Sequence, residues 1–146
     1  MVLDTPSSEI KRKVLREKSR KSLREVLLDK NLAGLGDAYL NFIYSLAGSE
    51  KNGKPLGLKA SGKTLAEAIK RAGLRELLPS RIDRHDQGDA AEALILYVWL
   101  CGKITIDECI DVLEKNLDDP IKAFTELLIE AKKRLEVLSY AEDDKV

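Results

Sequence analysis

Apolar residues recur along most of the chain at helical spacing, and no segment alternates over a strand's length with turn punctuation between. Thr5-Pro6 opens a first helix running to about Asp29, with Ile10, Val14, Leu15, Leu23, Val26 and Leu27 on one side. A second helix follows Gly34-Leu35-Gly36-Asp37 and ends at Gly48, with Leu40, Phe42, Ile43 and Leu46 directed inward. Residues 49–60, with three glycine or proline breaks among lysines, read as a loop. Thr64-x-x-Glu67 is a capping box for a helix closed by Gly73, and a short turn over Leu74 to Leu78 precedes Pro79. The polar stretch 81–88 reads as irregular. Asp89 to Cys101 is then a helix that is apolar on every side after Glu92, the pattern of a helix at the centre of a bundle. Thr105-x-x-Glu108 opens another helix, and Asp118-Asp119-Pro120 caps a last one ending near Tyr140. The fold class is all-α.

Composition narrows this to one domain spanning residues 1–146, with a basic N-terminal helix and two C-terminal helices around a middle section. A chain of this length buries roughly 70% of its unfolded surface, enough for a true core. No apolar run reaches the length of a membrane span, and the N-terminus lacks a signal peptide's apolar stretch, so a cytoplasmic protein is expected. The 25 basic and 25 acidic residues cancel overall but not locally. Eight of the 14 residues from Lys11 to Arg24 are basic, whereas residues 105–146 hold six basic against twelve acidic. Such a basic front is compatible with a polyanionic partner.

Little conventional catalytic chemistry is available. One histidine, His85, lies in the polar stretch and reads as a solvated loop residue; no nucleophile elbow, Walker or dinucleotide glycine motif is present. Cys101 and Cys109, without a neighbouring histidine, do not make a zinc site and read as buried or half-buried reduced thiols. Carboxylates offer more. Asp89 and Glu92, at i and i+3, share a face where an otherwise apolar helix enters the core, and Asp37 follows a glycine that permits close approach. Three such groups about 5 Å apart repel by roughly 3 kcal/mol per pair at an effective dielectric near 20, so a cluster calls for a cation or a shared proton. Oxygen ligands favour Mg²⁺ or Mn²⁺. The same spacing also serves helix capping: Asp89 with Glu92 at its third position, and Asp37 at the next helix start.

Leu35-Gly36-Asp37-Ala38 followed by Tyr39-Leu40-Asn41-Phe42-Ile43 resembles the signature helix of the ribonuclease III family. Asp89-Ala90-Ala91-Glu92-Ala93-Leu94-Ile95 resembles its second acidic motif, and Lys63 to Glu67 through Ala72-Gly73-Leu74 resembles the helix between them. The resemblance covers about residues 30–102. It implies an all-α, homodimeric endoribonuclease that cleaves double-stranded RNA with Mg²⁺ (or Mn²⁺), leaving 5′-phosphate and 3′-hydroxyl ends. Asp37, Asp89 and Glu92 would be its catalytic, metal-binding carboxylates. Where the family usually carries a glutamate four residues before the signature aspartate, this chain has Ala33. The short Mini-III branch is similar in having alanine there and remaining a nuclease. No separate double-stranded-RNA-binding domain fits in the chain, so RNA is expected on the catalytic body itself.

Within that reading, Lys11, Arg12, Lys13, Arg16, Lys18, Arg20, Lys21 and Arg24 of the first helix are candidate phosphate contacts, as are Lys51, Lys54, Lys59 and Lys63 near the loop. Basic residues surrounding a helix also serve simply as a solvated face paired to Glu9, Glu17 and Glu25. Tyr39, Tyr44, Tyr97 and Trp99 lie on apolar runs and read as core or dimer interface rather than base-stacking platforms. Two rivals to the nuclease remain: a catalytically silent RNA-binding relative, and a helical interaction module in which Asp37 and Asp89 are ordinary caps.

Overall fold

A computed structural model describes residues 22–143. The described residues form six α-helices and one 3-10 turn, with no strand, so the fold is all-α. The helices are α1 (Leu23–Leu27), α2 (Lys30–Asn52), α3 (Gly62–Arg71), α4 (Arg84–Leu100), α5 (Ile106–Glu114) and α6 (Pro120–Asp143); the 3-10 turn, Arg75–Leu77, lies between α3 and α4. Most of the expected first helix, including Ile10, Val14 and Leu15, lies outside the described residues.

Helix α4 is the centre of the bundle. From Ala90 to Val98 every residue is buried, and the helix packs on α1, α2, α3 and α6. No face of this segment carries enough polarity to meet water, so the surrounding helices bury it on all sides. Tyr39 and Trp99 stack with centroids 5.0 Å apart, and Tyr44 meets Phe124 edge-on at 5.1 Å. These aromatics therefore belong to the interior.

Three helices begin earlier than their sequence signals suggest. The cap of α2 is Asp29, whose carboxylate accepts from the backbone N–H of Asn31 and Leu32 at 2.9 and 3.0 Å. Gly34 and Gly36 thus lie inside the helix, which continues past Gly48 to Gly53 in a left-handed conformation at φ 71°. The cap of α4 is Asp83, which accepts from Asp86 N–H at 2.7 Å, so the polar stretch through Gln87 is the exposed start of a helix. Helix α3 is capped by Ser61, which accepts from Thr64 N–H, rather than by Thr64. The Thr105 to Glu108 capping box is present as read.

The inward face of α2 also differs from expectation. Leu40, Ile43 and Ala47 face the core, at i, i+3 and i+7, whereas Phe42 points outward and is 48% exposed. Leu46 is half-buried. On a further side of α2, Asn41, Ser45 and Ser49 form a polar stripe that holds the following loop. Ser49 Oγ accepts from Leu56 N–H at 2.8 Å, Ser45 Oγ accepts from Leu58 N–H at 2.8 Å, and Asn41 Oδ1 accepts from Ala60 N–H at 2.9 Å. The segment 56–60 is thereby laid along α2, which fixes the position of Lys59.

Candidate active site

Asp37 and Glu92 come from the two helices in closest association. The approach depends on Gly36: an added Cβ there would sit on the Glu92 carbonyl oxygen, 2.6 Å from its carbon. Only a residue without a side chain lets the α2 backbone pass that close to α4. The next residue, Asp37, is exposed, and its carboxylate is near enough to that of Glu92 to act on it electrostatically.

Glu92 is the one buried charged residue among those described, 8% exposed. Burial, then the proximity of Asp37, and the charge of Asp89 push its carboxyl up to about 8; Lys59 acts in the opposite direction. With its carboxyl near 8, Glu92 keeps its proton at neutral pH. Asn41 holds Asp37 in place, donating from Nδ2 to its backbone carbonyl at 2.9 Å and to Oδ1 at 3.0 Å. Through its other amide atom the same side chain grips Ala60, so one residue couples the carboxylate to the loop bearing Lys59.

Asp89 stands one turn earlier on α4 and is half-buried. The Lys30 ammonium donates to Asp89 Oδ2 at 3.0 Å and also to Asp86 Oδ1. His85 Nε2 lies 3.6 Å from the same Asp89 oxygen. Among the described residues, the one group of three whose ligand atoms all lie within 4.8 Å of one another is His85, Asp86 and Asp89; Asp37, Asp89 and Glu92, the expected trio, are not brought together that closely. His85 itself belongs to the first turn of α4, not to a loop, although it is exposed as expected.

The capping explanation of the acidic residues does not survive this geometry. Asp29 and Asp83 cap the helices, while Asp37 and Asp89 lie more than a turn inside them. A carboxylate there neither satisfies free backbone N–H groups nor gains from the helix terminus. Asp37, Glu92 and Asp89 are hard oxygen donors; burial first, then the proximity of Asp37 and Asp89, raises the Glu92 carboxyl, and a divalent cation would relieve the repulsion among them. Carboxylate oxygens are the kind of donor that suits a hard divalent cation.

A model of the ribonuclease III family matches residues 30–144. The chain belongs to the ribonuclease III family. Among curated proteins, no sequence matches it. Family membership makes this a ribonuclease-type domain directed at RNA, and divalent-metal dependence is general in ribonuclease III proteins. The match runs well past the 30–102 section that carries the motifs, so α5 and α6 belong to the family domain as well.

The candidate RNA contacts divide unevenly. Lys51, Lys54, Lys59 and Lys63 are exposed, and Lys59 reaches the carboxylates electrostatically. Arg24 is exposed on α1, while Lys11, Arg12, Lys13, Arg16, Lys18, Arg20 and Lys21 lie outside the described residues. Neither cysteine is in a disulfide; Cys101 is half-buried and Cys109 lies buried beneath Tyr39, with burial pushing the Cys109 thiol up to about 11. Lys30 and Asn41 are the site residues that sequence reasoning missed. Lys30 lies seven residues before Asp37, hence on the same helix face, but that relation depends on knowing that α2 begins at Lys30.

Proposed function

We propose that the protein is a homodimeric, Mg²⁺-dependent (or Mn²⁺-dependent) endoribonuclease of a single domain over residues 1–146, cleaving double-stranded or structured RNA. The observation that carries this reading is the Asp37–Glu92 carboxyl pair at the α2–α4 crossing, with Asp89 one turn away. Asp37, Asp89 and Glu92 would hold the cation. When bound, that cation supplies activation of water and stabilisation of charge on the departing 3′ oxygen. The chain's residues supply the rest. Asn41 orients Asp37, the α4 core holds Glu92 rigidly, and Lys59 places a positive charge where a phosphate would approach. The products are 5′-phosphate and 3′-hydroxyl ends.

Lys11, Arg12, Lys13, Arg16, Arg20, Lys51, Lys54, Lys59 and Lys63 serve as phosphate contacts in this reading, with little readout of sequence. A homodimer is supported by α2, where Leu35 and Phe42, seven residues apart and each 48% exposed, put an apolar stripe on one side. No helix among the described residues is long and apolar enough to cross a membrane, and two cysteines outside any disulfide suit a reducing cytoplasm.

A second reading draws on Lys30 and Ala33. With an ammonium on Asp89 and no carboxylate at position 33, the same fold would serve as a catalytically silent RNA binder. Incubating the protein with long double-stranded RNA, in Mg²⁺, Mn²⁺ or EDTA, beside Asp37→Asn separates the two. Metal-dependent cutting that Asp37→Asn loses is the expected result. Intact RNA in every lane, from folded protein that still binds RNA, selects the silent relative.

A further inference from the structure

Away from the carboxylates, α3, the 3-10 turn and the starts of α4 and α6 enclose a cleft of about 510 Å³. Its walls carry Lys63, Lys70, Arg71, Arg75 and Arg84, against a single carboxylate, Glu67. The chain as a whole has no net charge, so five cations around one cleft mark a local excess rather than a general basic character. Glu67 is already engaged by Arg71 at 3.1 Å. Among the described residues, no carboxylate forms an ion pair with Lys63, Lys70, Arg75 or Arg84.

Helix stability accounts for only part of this set. Lys70 and Arg71 stand in the last turn of α3, where the helix dipole favours cations. Arg84 occupies the first position of α4, where the dipole opposes them. Arg75 is held ready by its backbone partners: its two terminal nitrogens donate to the carbonyls of Pro79 and Ser80 at 3.0 and 2.9 Å. Those bonds fix the guanidinium without neutralising it.

We infer that this cleft binds backbone phosphates of the RNA, as an anchor separate from the carboxylate centre. The inference rests on the protein being an RNA-acting member of its family. No aromatic side chain lines the cleft, so it offers charge without a stacking surface for a base. A site of that kind suits a sugar–phosphate backbone and not a free nucleotide. Arg84 and Glu92 are eight residues apart on α4, an axial rise of about 12 Å, but they project from different sides of the helix. One bound duplex spans both, held in the cleft while another stretch of its backbone lies at the carboxylates. Lys59 and Lys63 continue the positive charge between them.

The test measures binding of a short duplex RNA by fluorescence anisotropy in EDTA, where no cutting occurs. The parent is compared with Lys70→Gln/Arg84→Gln, with Lys70→Glu/Arg84→Glu, and with Lys115→Gln as a charge control outside the cleft. Circular dichroism verifies that each variant is folded. The neutral double variant is expected to bind about ten-fold more weakly, and the slope of log affinity against log salt to fall by about 2. Lys115→Gln leaves both unchanged. Parental affinity and salt slope in a folded neutral variant overturn the inference, as does a parent that binds no RNA. Micromolar binding of ATP or tripolyphosphate that needs Lys70 and Arg84 while RNA binding does not would assign the cleft to a small ligand, and also overturns it. Failure to cut RNA in Mg²⁺ would defeat the nuclease reading alone, because the anisotropy result does not depend on cleavage.

Discussion

The Lys30 ammonium stands 3.0 Å from Asp89 Oδ2, so a side chain of the protein supplies positive charge to a carboxylate expected to bind metal. Its second bond, to Asp86, is the main reason Lys30 is held above the ordinary lysine range. Since Lys30 is largely exposed, the pair is screened and weak enough for an incoming cation to displace. Lys30→Gln removes that competing charge. It should tighten Mg²⁺ or Mn²⁺ binding by about three- to ten-fold, equivalent to roughly 1 kcal/mol of partly screened repulsion. Calorimetric titration with each metal reads this directly. Weaker binding in the variant would show instead that Lys30 organises Asp89 for the ion.

Glu92 links stability to pH. Its carboxyl lies at about 8 in the folded chain, against 4.5 for the free group. Between those values the native state keeps a proton that the unfolded chain has lost, so stability falls as pH rises across that window and levels off above it. Each pKa unit corresponds to about 1.4 kcal/mol, which makes this a change of up to a few kcal/mol. Glu92→Gln should flatten the dependence and exceed the parent in stability at pH 8. Urea unfolding curves from pH 5 to pH 9 measure it; the same slope in parent and variant would mean that Glu92 is ionised in the fold.

How much of this was legible beforehand depends on the kind of signal. The all-α class follows from helical spacing along the whole chain, and the central position of α4 and the burial of Glu92 follow from the unbroken apolar run that this acid enters. Helix starts were obscured by residues serving other ends. Gly34 and Gly36 look like punctuation, yet Gly36 is a packing contact within a continuous helix. Arg84 to Gln87 look irregular because a helix end exposed on most sides carries no apolar periodicity. Placing Asp37 and Asp89 at caps was the direct consequence. Pairings between distant residues, such as Lys30 with Asp89 or Asn41 with Ala60, depend on how helices cross, and local spacing does not encode that.

The two α2 glycines should respond oppositely to alanine. Gly34 has open space around its missing side chain, so Gly34→Ala removes a helix-interior glycine without a clash and should stabilise by about 0.5–1 kcal/mol. Gly36→Ala drives a methyl group into the Glu92 backbone, which cannot yield as a flexible side chain would. Destabilisation by about 1–3 kcal/mol is expected, together with weaker metal binding as Asp37 moves off Glu92. Thermal melts of both variants decide the point, and equal melting temperatures would contradict the close approach.

Ala33 lies between Lys30 and Asp37 on one face of α2, at i+3 and i+7 spacing. Both flanking residues reach acidic partners on α4, Lys30 at Asp86 and Asp89, and Asp37 at Glu92. A glutamate at position 33 would therefore enter the same cluster. Ala33 is buried, so the added carboxylate has to displace its neighbours and joins groups that already repel one another. Without metal, Ala33→Glu should lower the melting temperature by several degrees, about what a loss of 1–2 kcal/mol produces in a chain of this size. With Mg²⁺ the added ligand should recover that loss, giving a larger metal-induced rise than in the parent. Melting curves in EDTA and in a Mg²⁺ series separate the two contributions. An equal metal-induced rise in parent and variant would place position 33 outside the cation's reach.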